Sequence, residues 1–404
     1  MNYYPKFPDA FPAQYDWVSP GHVLFGWERR FDLGSLIQGE IKRVFVVSGS
    51  KILKSNGYIQ ELLLALNDAG VETKPLVNIH REPLVEDVDE AAARLRSFQP
   101  VQGDAVLGIG GGAAIDLAKA VAAMATNTES DTVKDYLEGV GQGYQLKNDP
   151  LPVIAMPTTA GTGSEATKNA VISSYDPPFK KSLRSPKMVP RWVIIDPEAS
   201  MTLPMQQTAE SGMDAITQLL ESYISCRATP MSDMVCLEGL ACGLPAMQTF
   251  IEETDEDLIK DARARMAQAA FLSGLALANS GLGMAHGVAA ALGVHGRVNH
   301  GRACALMLPI ALKTNRDVSI KKLAEVGNMT SPEVLKDEKS YVDFLIMYIN
   351  ELNQQLNLPS RLSEVGITHN QLPDIVSSSR GNSMNGNPRE LSDAELLSIL
   401  EVNL

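Results

Sequence analysis

The chain has 404 residues, enough for two domains with sizeable cores, and its 45% hydrophobic content is ordinary for a globular protein. A net charge of −13 argues against nucleic acid as a partner, because a phosphate backbone would be repelled.

Residues 1–40 carry Pro5, Pro8, Pro12 and Pro20 and read as an irregular arm, then HVLFG as a strand paired with another strand or with a short helix. The segment RVFVVS (Arg43–Ser48) is a buried-type strand broken by Gly49 and Ser50. An amphipathic helix is predicted over 58–69 and a strand over 73–77. A second helix is predicted over 85–98, with Val88, Ala91, Ala92 and Leu95 on one face. Then comes DAVLGIGGGAAIDLAKAVAAM (104–124): an apolar strand, the glycines Gly110, Gly111 and Gly112, and an alanine-rich helix. Glycines let a backbone approach closely, and the free N–H groups of a helix start attract anions, phosphate above all. Taken alone, a tight turn would read the same way. Strands follow over 152–157 and 192–196. This alternation predicts a parallel sheet covered on both faces. After Asp196 the pattern is helical: 207–225, 232–252, 257–278, 286–294 and on to the end. The expected fold is an α/β nucleotide-binding domain over 1–200 with a parallel sheet, joined to an all-α domain over 201–404. Ligands favour the cleft between two such domains.

A second glycine-rich stretch, MPTTAGTGSEAT (156–167), sets Thr158, Thr159, Thr162, Ser164 and Thr167 around Gly161 and Gly163. Hydroxyls and free amides at a strand end suit phosphate, ribose or an amide group. Two such loops at strand ends point to a nucleotide. Further on, Asp214 and Gln218 are four apart and share a helical face. His286, set among glycines and alanines, and His300 flank GVAAALGVHGRVN. One carboxylate, two imidazoles and an amide oxygen suit a divalent metal with room for a substrate oxygen. A solvated face or a buried hydrogen-bonded pair is the plainer reading of Asp214 and Gln218. His295, between the two other histidines, reads as a loop residue. The four cysteines, Cys226, Cys236, Cys242 and Cys304, lack CxxC spacing. They read as small apolar residues in a reducing compartment rather than as a disulfide framework or a thiolate metal site. No apolar stretch reaches the roughly 18 residues of a membrane span, and MNYYPKFPDAF has no signal pattern. A cytoplasmic protein with no membrane partner is expected.

Several of these segments resemble the iron-containing (group III) alcohol dehydrogenase family. GGGAAIDLAKA is similar to its GGGSxxDxxK phosphate loop and MPTTAGTGSEAT to its second nucleotide loop. SGMDAITQ, GLGMAHG and VNHGRACALMLP resemble its metal-ligand segments in the right order, and GNPRELSDAELLSIL its closing helix. The resemblance spans nearly the whole chain. It implies a dehydroquinate synthase-like architecture, NAD or NADP as cofactor, a divalent metal (Fe2+ or Zn2+) in the cleft, an alcohol or aldehyde substrate, and a homo-oligomer. By position, Gly111, Gly112 and Ala113, with Gly110 before them, would hold the pyrophosphate. Thr158, Thr159, Thr162 and Thr167 would line the nucleotide, and Lys180 or Lys181 would reach its ribose. Asp214, Gln218, His286 and His300 would surround the metal. Asp116, near the nicotinamide side, would act in catalysis with His286 and His300. Where NAD-preferring members carry an Asp for the ribose 2′-OH, this chain has Gly49, then Ser50 and Lys51, which would tolerate a 2′-phosphate. Glu82 nearby would repel one. The reaction implied is metal-assisted hydride transfer, in which the cation lowers the pKa of the alcohol and the nicotinamide carries the redox chemistry.

The sequence departs from the family pattern at four positions. Gln218 and Ala290 stand where histidines are usual, Leu277 where Phe is common, and Ala113 where the phosphate loop has Ser. The smaller Leu277 and Ala290 imply a roomier pocket. Gln218 and Ala290 also motivate a metal-free nucleotide-binding relative as an alternative. A dehydroquinate-synthase-like or glycerol-phosphate-dehydrogenase-like enzyme is the other. A phosphate-bearing substrate would need a basic cluster, for which only Arg297 and Arg302 offer themselves.

Overall fold

The computed structural model describes residues 14–404, so the arm prolines Pro5, Pro8 and Pro12 lie outside the described residues. Among the described residues eight strands occur, all in the first half: β1 (His22–Phe25), β2 (Arg43–Ser48), β3 (Glu72–Asn78), β4 (Asp104–Gly110), β5 (Val153–Pro157), β6 (Asn169–Tyr175), β7 (Pro178–Arg184) and β8 (Trp192–Ile195). Six form one parallel sheet in the order β1-β8-β5-β4-β2-β3. Along β2, Val44 and Val46 join one apolar cluster while Phe45 and Val47 join another. Both faces are therefore buried, which is why these strands read as unbroken apolar runs. The covering helices are α1 (Leu33–Ile37), α2 (Lys51–Ser55), α3 (Tyr58–Asp68), α4 (Val85–Ser97) and α5 (Gly112–Thr126). The arm is followed by the strand-plus-short-helix alternative, β1 and α1.

From β2 the chain steps outward to β3, yet from β4 it steps the other way, to β5. The crevice at the carboxyl ends of β2 and β4 is thus the point where the strand order reverses, the place where open α/β sheets bind ligands. Gly49 and Gly110 face each other there. A Cβ on Gly49 would lie 2.9 Å from that of Ala114, and one on Gly110 would lie 3.1 Å from the Gly49 Cα.

The antiparallel hairpin β6–β7 is absent from the sequence-based expectation. Its lysines and the Pro177–Pro178 turn mask the alternation. Its apolar side chains, Ala170, Ile172, Phe179 and Leu183, pack into the cluster that surrounds α5.

Among the described residues no strand follows Ile195. The helices are α6 (Met205–Ile224), α7 (Pro230–Glu252), α8 (Glu256–Asn279), α9 (Met284–Gly296), α10 (His300–Asn315), α11 (Ile320–Thr330), α12 (Glu338–Gln355), α13 (Leu372–Ser378) and α14 (Asp393–Val402). Their starts carry local signals: the Thr229 side chain caps α7 with Pro230 in its first turn, Asp255 caps α8, and Ser392 forms a capping box with Glu395 at α14. By length and composition α7 is apolar enough to cross a membrane, contrary to the sequence-based expectation. Half of that stretch is buried, and Leu240, Leu244 and Met247 belong to the largest helical core cluster. A core helix and a span share that composition.

Candidate active site

The nucleotide crevice is built from two glycine loops in contact. At the start of α5, Ala114 and Ile115 donate their amides to the Gly111 carbonyl, and the amides of Gly112 and Ala113 precede any helical acceptor. Gly112 has no room for a side chain, since a Cβ would meet the Thr162 Oγ1 at 2.5 Å; one on Gly111 would lie 3.2 Å from the Thr159 Oγ1. The Thr158 amide donates to the Gly110 carbonyl at 2.9 Å. Gly110, Gly111, Gly112, Ala113, Thr158, Thr159 and Thr162 are thus brought together as expected.

Asp116 and Thr167 are placed differently from the expectation. Asp116 Oδ1 accepts from the Ser164 Oγ and lies 3.1 Å from the Lys119 Nζ, while Oδ2 accepts from the Val171 amide at 2.9 Å. Lys119 is wholly buried. It donates to the Ser164 carbonyl at 2.8 Å, to the Thr167 Oγ1 at 2.9 Å and to the Asn169 carbonyl. The Thr167 hydroxyl in turn donates to the Ser164 carbonyl at 3.1 Å. Asp116 and Thr167 therefore tie α5, the second glycine loop and the hairpin together, with their polar atoms committed to protein partners. Inside this knot burial pulls the Lys119 pKa down and pushes Glu165 up to about 7.

Among the residues expected to meet the ribose, Ser50 is the N-cap of α2 and accepts from the Leu53 amide at 3.2 Å. Glu82 accepts from the Ser173 Oγ at 3.2 Å and pairs with the Lys180 ammonium. Lys181 alternates to the opposite side of β7. The structure thus engages Lys180, not Lys181, with Glu82.

The metal candidates converge from three helices. Asp214 and Gln218 lie one turn apart in the middle of α6, His286 in the first turn of α9, and His300 at the first position of α10. The Asp214 Oδ1 is 3.4 Å from the His286 Nε2 and 3.6 Å from the His300 Nε2. Asp214 Oδ1 and His286 Nε2 are both buried without a hydrogen-bond partner. The other face of His286 is fixed: its Nδ1 lies 2.7 Å from the Glu221 Oε2, and Glu221 also accepts the amides of Ala285 (2.6 Å) and His286 (3.2 Å). Gln218 donates its amide nitrogen to the Thr162 carbonyl at 3.1 Å and to the Ser273 Oγ at 2.8 Å, which leaves its amide oxygen as the free end. Burial works to raise the Asp214 pKa, but the two imidazoles outweigh it and bring it down to about 2. Burial lowers His300 to about 4, more than Asp214 can restore, so its imidazole is neutral at pH 7. Burial opposes charging of His286 too, but Cys304, Asp214 and Glu221 raise its pKa. Two buried atoms with nothing to bond, 3.4 Å apart beside a neutral imidazole, fit a divalent cation.

Two family models match the chain. Residues 20–197 match the model described as iron-containing alcohol dehydrogenase, and residues 208–404 match the C-terminal model of the Fe-containing alcohol dehydrogenase family. The chain belongs to the iron-containing alcohol dehydrogenase family. With that membership come an oxidoreductase class, a nicotinamide cofactor and a metal. The NADPH-dependent butanol dehydrogenase of Clostridium saccharobutylicum is 31% identical over 89% of this chain and 91% of its own length. A crystal structure of 1,3-propanediol oxidoreductase superposes with a TM-score of 0.87 at 26% identity, covering 97% of this chain and 100% of that one. Sulfoacetaldehyde reductase from Bifidobacterium kashiwanohense, solved with NAD+, gives 0.84 at 26% identity over 97% and 99% of the two chains.

The structure brings to the site two groups that the sequence reading missed. Glu221 continues the Asp214–Gln218 face of α6 and was legible at that spacing. Cys304 was read as a small apolar residue. It lies one turn after His300, and its Sγ sits 3.8 Å from the His300 Nε2. The ligand atoms of Asp214, His286, His300 and Cys304 all lie within 4.8 Å of one another. Burial pushes the Cys304 thiol up to about 12.

Proposed function

We propose that this chain catalyses reversible hydride transfer between a nicotinamide dinucleotide and an alcohol or its carbonyl partner, with a divalent metal held by Asp214, His286, His300 and the Gln218 amide oxygen. Residues 1–200 hold the cofactor and 201–404 the metal. The observation that carries this reading is the pair of buried, unpartnered ligand atoms on Asp214 and His286 beside His300. When bound, the cation lowers the pKa of the substrate hydroxyl while the nicotinamide takes the hydride.

The chain's own groups supply position. Glu221 occupies the His286 Nδ1, which turns the Nε2 lone pair toward Asp214. Gln218 links the metal half to the nucleotide half through the Thr162 carbonyl. The free amides of Gly112 and Ala113 receive the pyrophosphate. Lys180 and Glu82 act on the ribose side with opposed charges, so a preference between NAD and NADP stays below about 2 kcal/mol, the scale of one or two hydrogen bonds. Ala290, one turn after His286 on α9, and Leu277 are both partly exposed, which leaves room for a substrate larger than ethanol.

Metal content by elemental analysis, measured with turnover over a series from ethanol to branched and polyhydroxylated alcohols and their aldehydes, tests the reading. His300→Ala should lose metal and turnover together, and Gln218→His should raise zinc affinity. A His300→Ala enzyme fully active without metal overturns the metal mechanism. A steady fall of kcat/KM with alcohol size contradicts the larger pocket.

A further inference from the structure

We infer that Cys304 is a thiolate donor to the metal, a role that rests on the metal-dependent reading above. The argument is geometric. A tetrahedral site with metal–nitrogen and metal–oxygen bonds of about 2.0–2.2 Å and a metal–sulfur bond of about 2.3 Å has donor–donor edges of roughly 3.3–3.6 Å. The observed edges are close to these: 3.4 Å for Asp214 to His286, 3.6 Å for Asp214 to His300 and 3.8 Å from the Cys304 Sγ to the His300 Nε2. All four donor atoms fit within 4.8 Å of one another. The space they enclose is the one that the unpartnered Asp214 Oδ1 and His286 Nε2 already face.

Position explains how the sulfur arrives there. His300 opens α10, and Cys304 follows by one full turn on the same face, so both side chains project to the same point. Cys304 is 0% exposed, and an imidazole nitrogen, the His300 Nε2, lies 3.8 Å from its sulfur. Gln218 supplies only a neutral, hard oxygen at a position where a histidine would have supplied a nitrogen. Metal binding would displace the thiol proton to solvent, and the resulting thiolate would restore a strong donor and, with Asp214, bring the ligand charge to −2, which balances a divalent cation. Soft sulfur also shifts metal choice from Fe2+ toward Zn2+. With Asp214, His286, His300 and Cys304 as the four tetrahedral donors, the Gln218 amide oxygen and an incoming alcohol oxygen would have to share a further position or displace one donor.

The test uses the full chain, stripped by a chelator and reloaded with one metal at a time. X-ray absorption on the Zn2+-loaded protein should show a sulfur scatterer at about 2.3 Å, and the Co2+-loaded protein should show a thiolate charge-transfer band. Both signals should vanish in Cys304→Ser and Cys304→Ala. Zn2+ affinity in those variants should fall by more than the roughly 10–100-fold typical of losing an outer-shell partner, with a smaller fall for Fe2+. Metal bound through nitrogen and oxygen alone in the wild type overturns the role of Cys304 and leaves the dehydrogenase reading standing. A wild type that binds neither Zn2+, Co2+ nor Fe2+ overturns both.

Discussion

Replacing Gly274 with alanine sets two effects of opposite sign against each other. In an exposed helix interior the change stabilises by about 1 kcal/mol, because glycine gives up more backbone freedom on folding. Gly274, however, is buried in α8 against Gly163 of the second nucleotide loop, whose φ is +59°. A Cβ on Gly274 would lie 2.7 Å from the Gly163 carbonyl carbon and closer still to its oxygen. Ordinary carbon contacts are about 3.5–4.0 Å, so the two backbones must part by about 1 Å. Overpacking of this kind costs about 1–3 kcal/mol. The clash should win, for a net loss of up to about 2 kcal/mol. The displaced segment adjoins Thr162, whose carbonyl holds Gln218, so affinity for the reduced cofactor should weaken as well. Urea unfolding followed by tryptophan fluorescence should show a lower midpoint at an unchanged slope, and cofactor fluorescence titration should show a raised Kd. A Gly274→Ala protein as stable as wild type, with unaltered cofactor affinity, would refute the reasoning.

Glu221→Gln keeps the shape but removes the charge that orients His286, so metal affinity measured against a competing chelator should fall roughly 10–100-fold; unchanged affinity would show that His286 needs no such hold. The Glu165 pKa, raised by burial to about 7 from an ordinary 4.5, means the native state holds this proton more tightly than the unfolded chain. Stability should therefore decline as pH rises from about 4.5 to 7 and then level off, by up to about 3 kcal/mol. Glu165→Gln should flatten that part of a urea–pH series, and an identical slope in the variant would contradict the assignment. Lys119→Met leaves Asp116 buried opposite no cation and should cost about 3–5 kcal/mol. Adding Asp116→Asn should recover part of the loss, and strict additivity in the double-mutant cycle would deny the coupling.

The sheet and the long helices were legible because burial imposes a period. RVFVVS, VIAMP and WVII are apolar on both faces, and α6 extends from Met205 to Ile224 against an expected 207–225. The hairpin β6–β7 was not, since only one of its faces is buried and its turn is rich in proline and lysine. Asp214 and His286 could be picked out because each polar group interrupts an apolar stretch of helix, whereas His300, at the start of α10, was marked by its place after GVAAALGVHGRVN and by the resemblance of VNHGRACALMLP to a metal-ligand segment. Cys304 could not be told from a core residue by type: cysteine is one of the most often buried side chains, and only its spacing from His300 distinguished it. Asp116 and Thr167 matched a motif whose residues both contact the ligand and brace the loop, and the sequence does not say which of the two a given hydroxyl or carboxylate does.

Among the described residues, the strand β1 pairs only with β8, His22 against Trp192. Just beyond it, the buried Arg30 guanidinium reaches Asp196 at 2.8 Å, across 166 residues. Val18 exchanges hydrogen bonds with Asn279, 261 residues away. A ribosome adding about 5–20 residues per second delivers β1 roughly 10–30 s before its partner strand. During that interval β1 lacks its partner edge, while β2, β3 and β4 can already associate. The strand β1 is thus the last piece set into the sheet, and it closes the first half only when the connection to α6 is already being made.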